Sequence, residues 1–103
     1  MRTQWTITKD FFPDLTARPA SPSNAAGIVG PRGAKLTHEE IVNHKDGKKF
    51  RLLDDDRVVM YEGVMVVGDV AEAELAPLDD FGEPNAGCTI MEVDIGRFNW
   101  QAL

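Results

Sequence analysis

Two strand-like runs, Lys48 to Leu53 and Val58 to Tyr61, flank Asp54-Asp55-Asp56-Arg57, and this spacing commits the middle of the chain to a β-hairpin with an acidic turn. Phe50 and Leu52 fall on one face of the first run, so the hairpin has a side on which to build a core. Gly63 predicts a bulge or bend. After it, Val64-Met65-Val66-Val67 reads as a buried strand that stops at Gly68-Asp69, and an irregular strand from Ala71 to Ala76 is placed to pair with it. Thr89 to Ile95 puts Met91, Val93 and Ile95 on one face and Glu92 and Asp94 on the other, before Gly96 turns the chain into Arg97-Phe98-Asn99-Trp100 as a second hairpin. Near the start, Gln4 to Thr8 alternates as a strand at or near the sheet edge, with Trp5 and Ile7 inward.

Only one segment carries helix signals. Thr37 stands as an N-cap, Glu40 follows three residues on to complete a capping box, and Leu36 is placed to staple against Ile41. This predicts a short helix from Thr37 to Lys45, with acids in its first turn, Lys45 in its last and Gly47 closing it. Between Lys9 and Lys35, prolines and glycines interrupt every candidate element, so Asp10 to Lys35 reads as one long loop that Phe11-Phe12 and Ile28-Val29 would tie to the core. The expected architecture is an α+β single domain spanning 1–103: an antiparallel sheet of about five strands, one short helix and a long N-terminal loop. A small all-β barrel is the alternative. Trp5, Phe50, Tyr61, Phe81, Phe98 and Trp100 are the expected core aromatics, and so small a core leaves room for self-association.

Charge divides the chain unevenly. Its net charge of −6 splits into about +3 over residues 1–50 and −9 over residues 51–103. If the acids share a face, that face repels nucleic acid and anionic membranes and attracts basic proteins or cations, although acids also simply keep a small protein soluble. The single cysteine, Cys88, excludes an intramolecular disulfide, and no secretory apolar core follows Met1-Arg2-Thr3-Gln4-Trp5, so the cytoplasm is the expected compartment. No apolar run reaches the roughly 18 residues of a membrane helix.

The candidate chemical motifs each fall short of a known pattern. Gly27 to Thr37 has the glycines, Lys35 and Thr37 of a phosphate loop, but Ala34 and Leu36 break its spacing. Arg32 and Lys35 still leave simple anion binding at the helix start to consider. His38 and His44 lie six residues apart and would point to different helix faces, so they are not a zinc pair. Asp54-Asp55-Asp56 with Glu62, and Asp79-Asp80 with Glu83 and Asn85, could offer oxygens to a hard cation, yet neither follows a calcium-loop pattern. No metal or cofactor is therefore expected. Cys88 after Gly87 could stand as a nucleophile if a histidine came near, whereas a buried, inert thiol is the plainer reading. Lys48-Lys49-Phe50-Arg51 is the one basic-aromatic cluster, and the acidic field around it argues against direct nucleic-acid binding.

The most distinctive stretch is Pro77 to Thr89, turn-rich in composition and carrying two prolines and the cysteine. Together with Trp5 to Asp10 and Phe50 to Asp56, it resembles small bacterial proteins of uncharacterised function that share a Leu-Asp-Asp-Phe-Gly…Pro-Asn-Ala-Gly-Cys-Thr segment. That resemblance implies a compact single-domain protein and no activity. The functional expectation is a small acidic binding or interaction protein without catalysis, with a protein partner or a second copy as its target. Asp79, Asp80, Phe81, Glu83, Asn85 and Cys88 form the candidate contact loop, Phe81 serving as an aromatic anchor in a carboxylate rim. The same loop could instead pin Phe81 into the core. Alternatives are a self-assembling accessory protein, an acidic inhibitor of the kind mobile elements and phages carry, and a small enzyme using Cys88.

Overall fold

The computed structural model describes residues 3–11, 25–68, 75–96 and 99–103. Among these residues six strands form one open antiparallel sheet: β1 (Gln4–Asp10), β2 (Val29–Gly30), β3 (Lys48–Leu53), β4 (Val59–Val66), β5 (Ile90–Asp94) and β6 (Trp100–Ala102). Their order is β2-β1-β4-β3-β5-β6, with β2 and β6 at the edges. The helix α1 (His38–Val42) precedes β3, and a second helical segment, α2 (Leu78–Gly82) running into α3 (Glu83–Ala86), precedes β5. The fold is thus mostly β with a small helical content.

Strand register decides which side chains share a face. Ile7, Gly63, Phe50 and Val93 are cross-strand partners, as are Tyr61, Leu52 and Met91, and Trp5 pairs with Met65. These residues form the covered face and, apart from Gly63, belong to the main core cluster, which α2 closes by inserting Phe81. The Phe81 ring sits 4.9 Å from Tyr61 in an edge-on arrangement and 5.4 Å from Trp5. Trp5 can be buried because its indole N–H donates to Asp80 Oδ2 at 3.2 Å. On the opposite face, Ile41 of α1 packs with Val64 and Val66, joined by Leu36 and Val29.

The α1 cap is the predicted box: Thr37 Oγ1 accepts from Glu40 N–H, and the Glu40 carboxylate accepts from Thr37 N–H. Leu36 and Ile41 share a cluster, as a staple requires. The helix nevertheless stops at its C-cap Asn43, so Lys45 lies beyond it and no basic residue occupies its last turn. Two tertiary clamps compensate for so short a helix. Gln4 Oε1 accepts from Lys35 N–H and Leu36 N–H at 2.8 and 2.9 Å. Thr6, fully buried, donates its one hydroxyl proton to the Ile28 carbonyl, which leaves His38 to donate from Nδ1 across 2.6 Å.

Several expectations need correction. Among the described residues the sheet has six strands, not about five, because the loop before α1 contributes β2 to the β1 edge. It is open, so the barrel alternative fails. The register shifts at two other places, in β1 between Ile7 and Lys9 and in β4 at Met60, which is left over where Leu52 and Leu53 pair with Tyr61 and Val59, while the chain runs regularly through Gly63. Residues 71–74 of the expected fifth strand lie outside the described residues, and Leu75 and Ala76 already wind helically. Pro77 to Ala86 is helix where its composition reads as turns. Pro84 explains the wide turn of α2: proline crowds the carbonyl four residues back, and Glu83 N–H reaches Leu78 O instead, five residues away. Ile95 is 57% exposed and not on the core face. Trp100 sits on the uncovered face, not in the core, and Phe98 lies outside the described residues.

Candidate functional site

The structure distributes the expected contact loop over both sides of the covering layer. Asp79, Asp80 and Glu83 are exposed on α2 and α3, whereas Phe81 and Cys88 are buried at 7% and 1% exposure. Phe81 takes the second of its two placements, in the core, so the acidic residues surround no accessible anchor. The side chain of Asn85 lies outside the described residues.

Cys88 is buried in the core. Its side chain lies beside Gly82 in the main core, while His38 and His44 lie on or beside α1 across the sheet. Burial, reinforced by the charge of Asp54, pushes the Cys88 pKa up to about 11, so the thiolate a nucleophile needs is not formed near neutral pH. Tyr61 is raised to about 12 by burial, then by Asp10 and by Cys88. Both groups are neutral when protonated, and the folded protein keeps protons that the unfolded chain releases. Stability is therefore complete below about pH 9 and falls as pH climbs from 9.0 to about 11 for Cys88 and from 10.0 to about 12 for Tyr61. Unfolding free energies from urea denaturation should fall steadily across that range as each group passes through its window. Cys88→Ala should delete the earlier part of the fall. A flat profile would mean that neither group is buried in solution.

The anion and metal expectations also meet definite geometry. The amides before α1 that a phosphate would need are taken by Gln4. Asp54 Oδ1 accepts from Asp56 N–H and Val58 N–H, and Asp55 accepts from the Thr89 hydroxyl, so these acids fasten the β3–β4 turn. Among the described residues no group of three or more His, Cys, Asp or Glu gathers to hold a metal ion, and no helix is long and apolar enough to cross a membrane.

What remains is the half of the sheet that α1 leaves uncovered. There β1, β4 and β3 floor an open groove of about 450 Å³, lined by Thr8, Lys9, Lys49, Glu62 and Val64, with Val42 of α1 and Trp100 of β6 as walls. Val42 is 39% exposed and Trp100 is half-buried. Beside the groove, Lys9, Glu62, Arg51 and Glu92 are successive cross-strand partners across four strands, a row of alternating sign. Arg51 Nε donates to Glu92 Oε1 at 2.5 Å, Arg57 approaches Glu92 Oε2 at 3.6 Å, and the Arg51 guanidinium lies 4.4 Å above the Trp100 ring centre. Glu92 can be buried because two guanidinium groups face it. The stack holds one face of the Trp100 ring against Arg51.

Sequence reasoning missed this groove. The Lys48-Lys49-Phe50-Arg51 cluster was visible, but strand alternation sends Phe50 into the core and leaves Lys49 and Arg51 on the open face. The aromatic that accompanies them is Trp100, some fifty positions away, which only the register brings near. No protein-family model, curated protein or solved structure matches this chain.

Proposed function

We propose that the protein is a non-enzymatic binding protein that takes an acidic, apolar-bearing segment of a partner protein into the open-face groove. The observation that carries this reading is the groove itself: an aromatic wall stacked by Arg51, an aliphatic wall, and two ammonium groups against one carboxylate in a chain of net charge −6. A volume of about 450 Å³ falls within the usual range of small-ligand pockets, roughly 300–1,000 Å³, enough for a buried side chain with its flanking backbone. Lys9 and Lys49 would pair with acidic side chains, and Trp100 and Val42 would hold the apolar one. Glu62 and Glu92 interrupt the cations at every second strand, which suits discrete acidic residues better than a continuous phosphate track. The buried, protonated Cys88 supports a role without turnover, and a reducing cytoplasm fits its free thiol.

The test is an amide-shift titration with short acidic peptides, each carrying one aromatic or aliphatic residue, alongside a single-stranded oligonucleotide. The expected result is peptide-dependent shifts at Lys9, Val42, Lys49 and Trp100, weakened by salt and reduced tenfold or more in affinity by Lys49→Glu. Shifts confined to α2 and α3, no shifts at all, or an equal response to the oligonucleotide would each overturn the proposal.

A further inference from the structure

We infer that β6 is a homodimer edge, through which two copies join their sheets about a two-fold axis at Gln101. Hydrogen bonds define which backbone groups of β6 are spent. Ile95 N–H donates to Asn99 O and Leu103 N–H to Met91 O. With Val93 and Gln101 in register between them, residues 99, 101 and 103 face β5, and Trp100 and Ala102 turn their N–H and C=O outward. Among the described residues nothing pairs with that outer row.

The edge is self-complementary. In an antiparallel pair centred on Gln101, Trp100 of each copy bonds to Ala102 of the other, and both side chains lie on the open face. The largest side chain of the strand therefore meets the smallest, twice. The two Gln101 amides meet on the axis, where each can donate to and accept from its twin. No charged residue occurs from Asn99 to Leu103, so the symmetry brings no like charges together within the strand. Exposed Ile95 and Leu103, at 57% and 50% exposure, flank the strand and gain cover. The opposite edge is guarded in the ways edges commonly are: β2 is two residues long and runs straight into Pro31 and Arg32. β6 is itself only three residues long, but it carries no lysine, proline or bulge, and a second copy fits its size, hydrogen bonding and neutrality.

Pairing would place the two Trp100 walls at the centre of one continuous open face, so each groove gains a border from the other copy. The inference does not depend on what the groove binds. Because the rest of each copy is acidic, moderate salt should strengthen the dimer, opposite to its effect on the acidic peptide.

Sedimentation over a wide concentration range should show a reversible monomer–dimer equilibrium that shifts toward dimer from low to physiological salt. Hydrogen exchange should show the Trp100 and Ala102 amides protected only where dimer is populated. Ala102→Pro removes an outward N–H without touching a bond to β5, and Ala102→Lys faces Glu92 within one copy but obstructs the incoming Trp100. Each should weaken dimerisation roughly tenfold or more, the factor that 1.4 kcal/mol represents, with the monomer's melting temperature retained. A monomer at every concentration, or a dimer whose Trp100 and Ala102 amides exchange as in the monomer, would sink the inference. Should neither variant fold, the wild-type exchange data decide alone.

Discussion

Phe81→Ala is expected to lower the unfolding free energy by about 3–5 kcal/mol, the usual cost of deleting a buried phenyl ring. A domain of this size holds only about 5–15 kcal/mol in total, so the variant should melt at least roughly 12 °C lower. The ring is the aromatic contact between α2 and the sheet, at 4.9 Å from Tyr61 and 5.4 Å from Trp5. Its loss opens a cavity beneath the helical cover, and the nearby Asp80 bond to Trp5 cannot close it. Asp79→Ala, on the exposed side of the same turn, should change stability by no more than about 0.5 kcal/mol. Urea denaturation of the pair measures the contrast. If both variants lost under 1 kcal/mol, Phe81 would not be a core residue in solution.

Gly63→Ala should cost about 3 kcal/mol or more, although it adds a single methyl group. A Cβ at this position meets the Thr6 carbonyl oxygen of the neighbouring strand and comes within 2.5 Å of Phe50 Cζ. The phenyl ring can turn aside, but the Thr6 oxygen is backbone and yields only if β1 moves away from β4. Overpacking of this kind usually costs 1–3 kcal/mol, and a clash in the middle of the sheet belongs at or above the top of that range. Phe50→Leu would give back part of the space, so the double variant should lose clearly less than the sum of the two singles. Strict additivity in denaturant titrations would show that the ring and the glycine do not meet.

Local signals were legible wherever the physics is local. The β3–β4 turn followed from four polar residues between two strand-like runs, and Asp54 does accept the amides that such a turn leaves unpaired. The α1 cap followed from Thr37 and Glu40 because a capping box closes within one turn. Pro77 to Gly87 was misread because proline and glycine have two meanings. Pro84 near the start of α3 and Gly87 at its end, with φ +66°, are helix punctuation as much as loop punctuation, and only their positions decide. The groove was beyond sequence reasoning altogether. Its residues run from Thr8 to Trp100 on four strands and a helix, and a register slip by one residue in β3 would exchange Lys49 for Phe50 on the open face.

The strand order has a kinetic meaning. β3 and β4 are neighbours in the chain and can zip together at once, whereas each β1 residue finds its β4 partner more than fifty positions later. Loop closure over that distance comes slowly relative to a hairpin. During synthesis β1 therefore leaves the ribosome well before the strand that will hold it, carrying Trp5 and Ile7 uncovered. The stretch of this protein that most needs protection from aggregation is its first strand, and it needs it only until β4 has emerged.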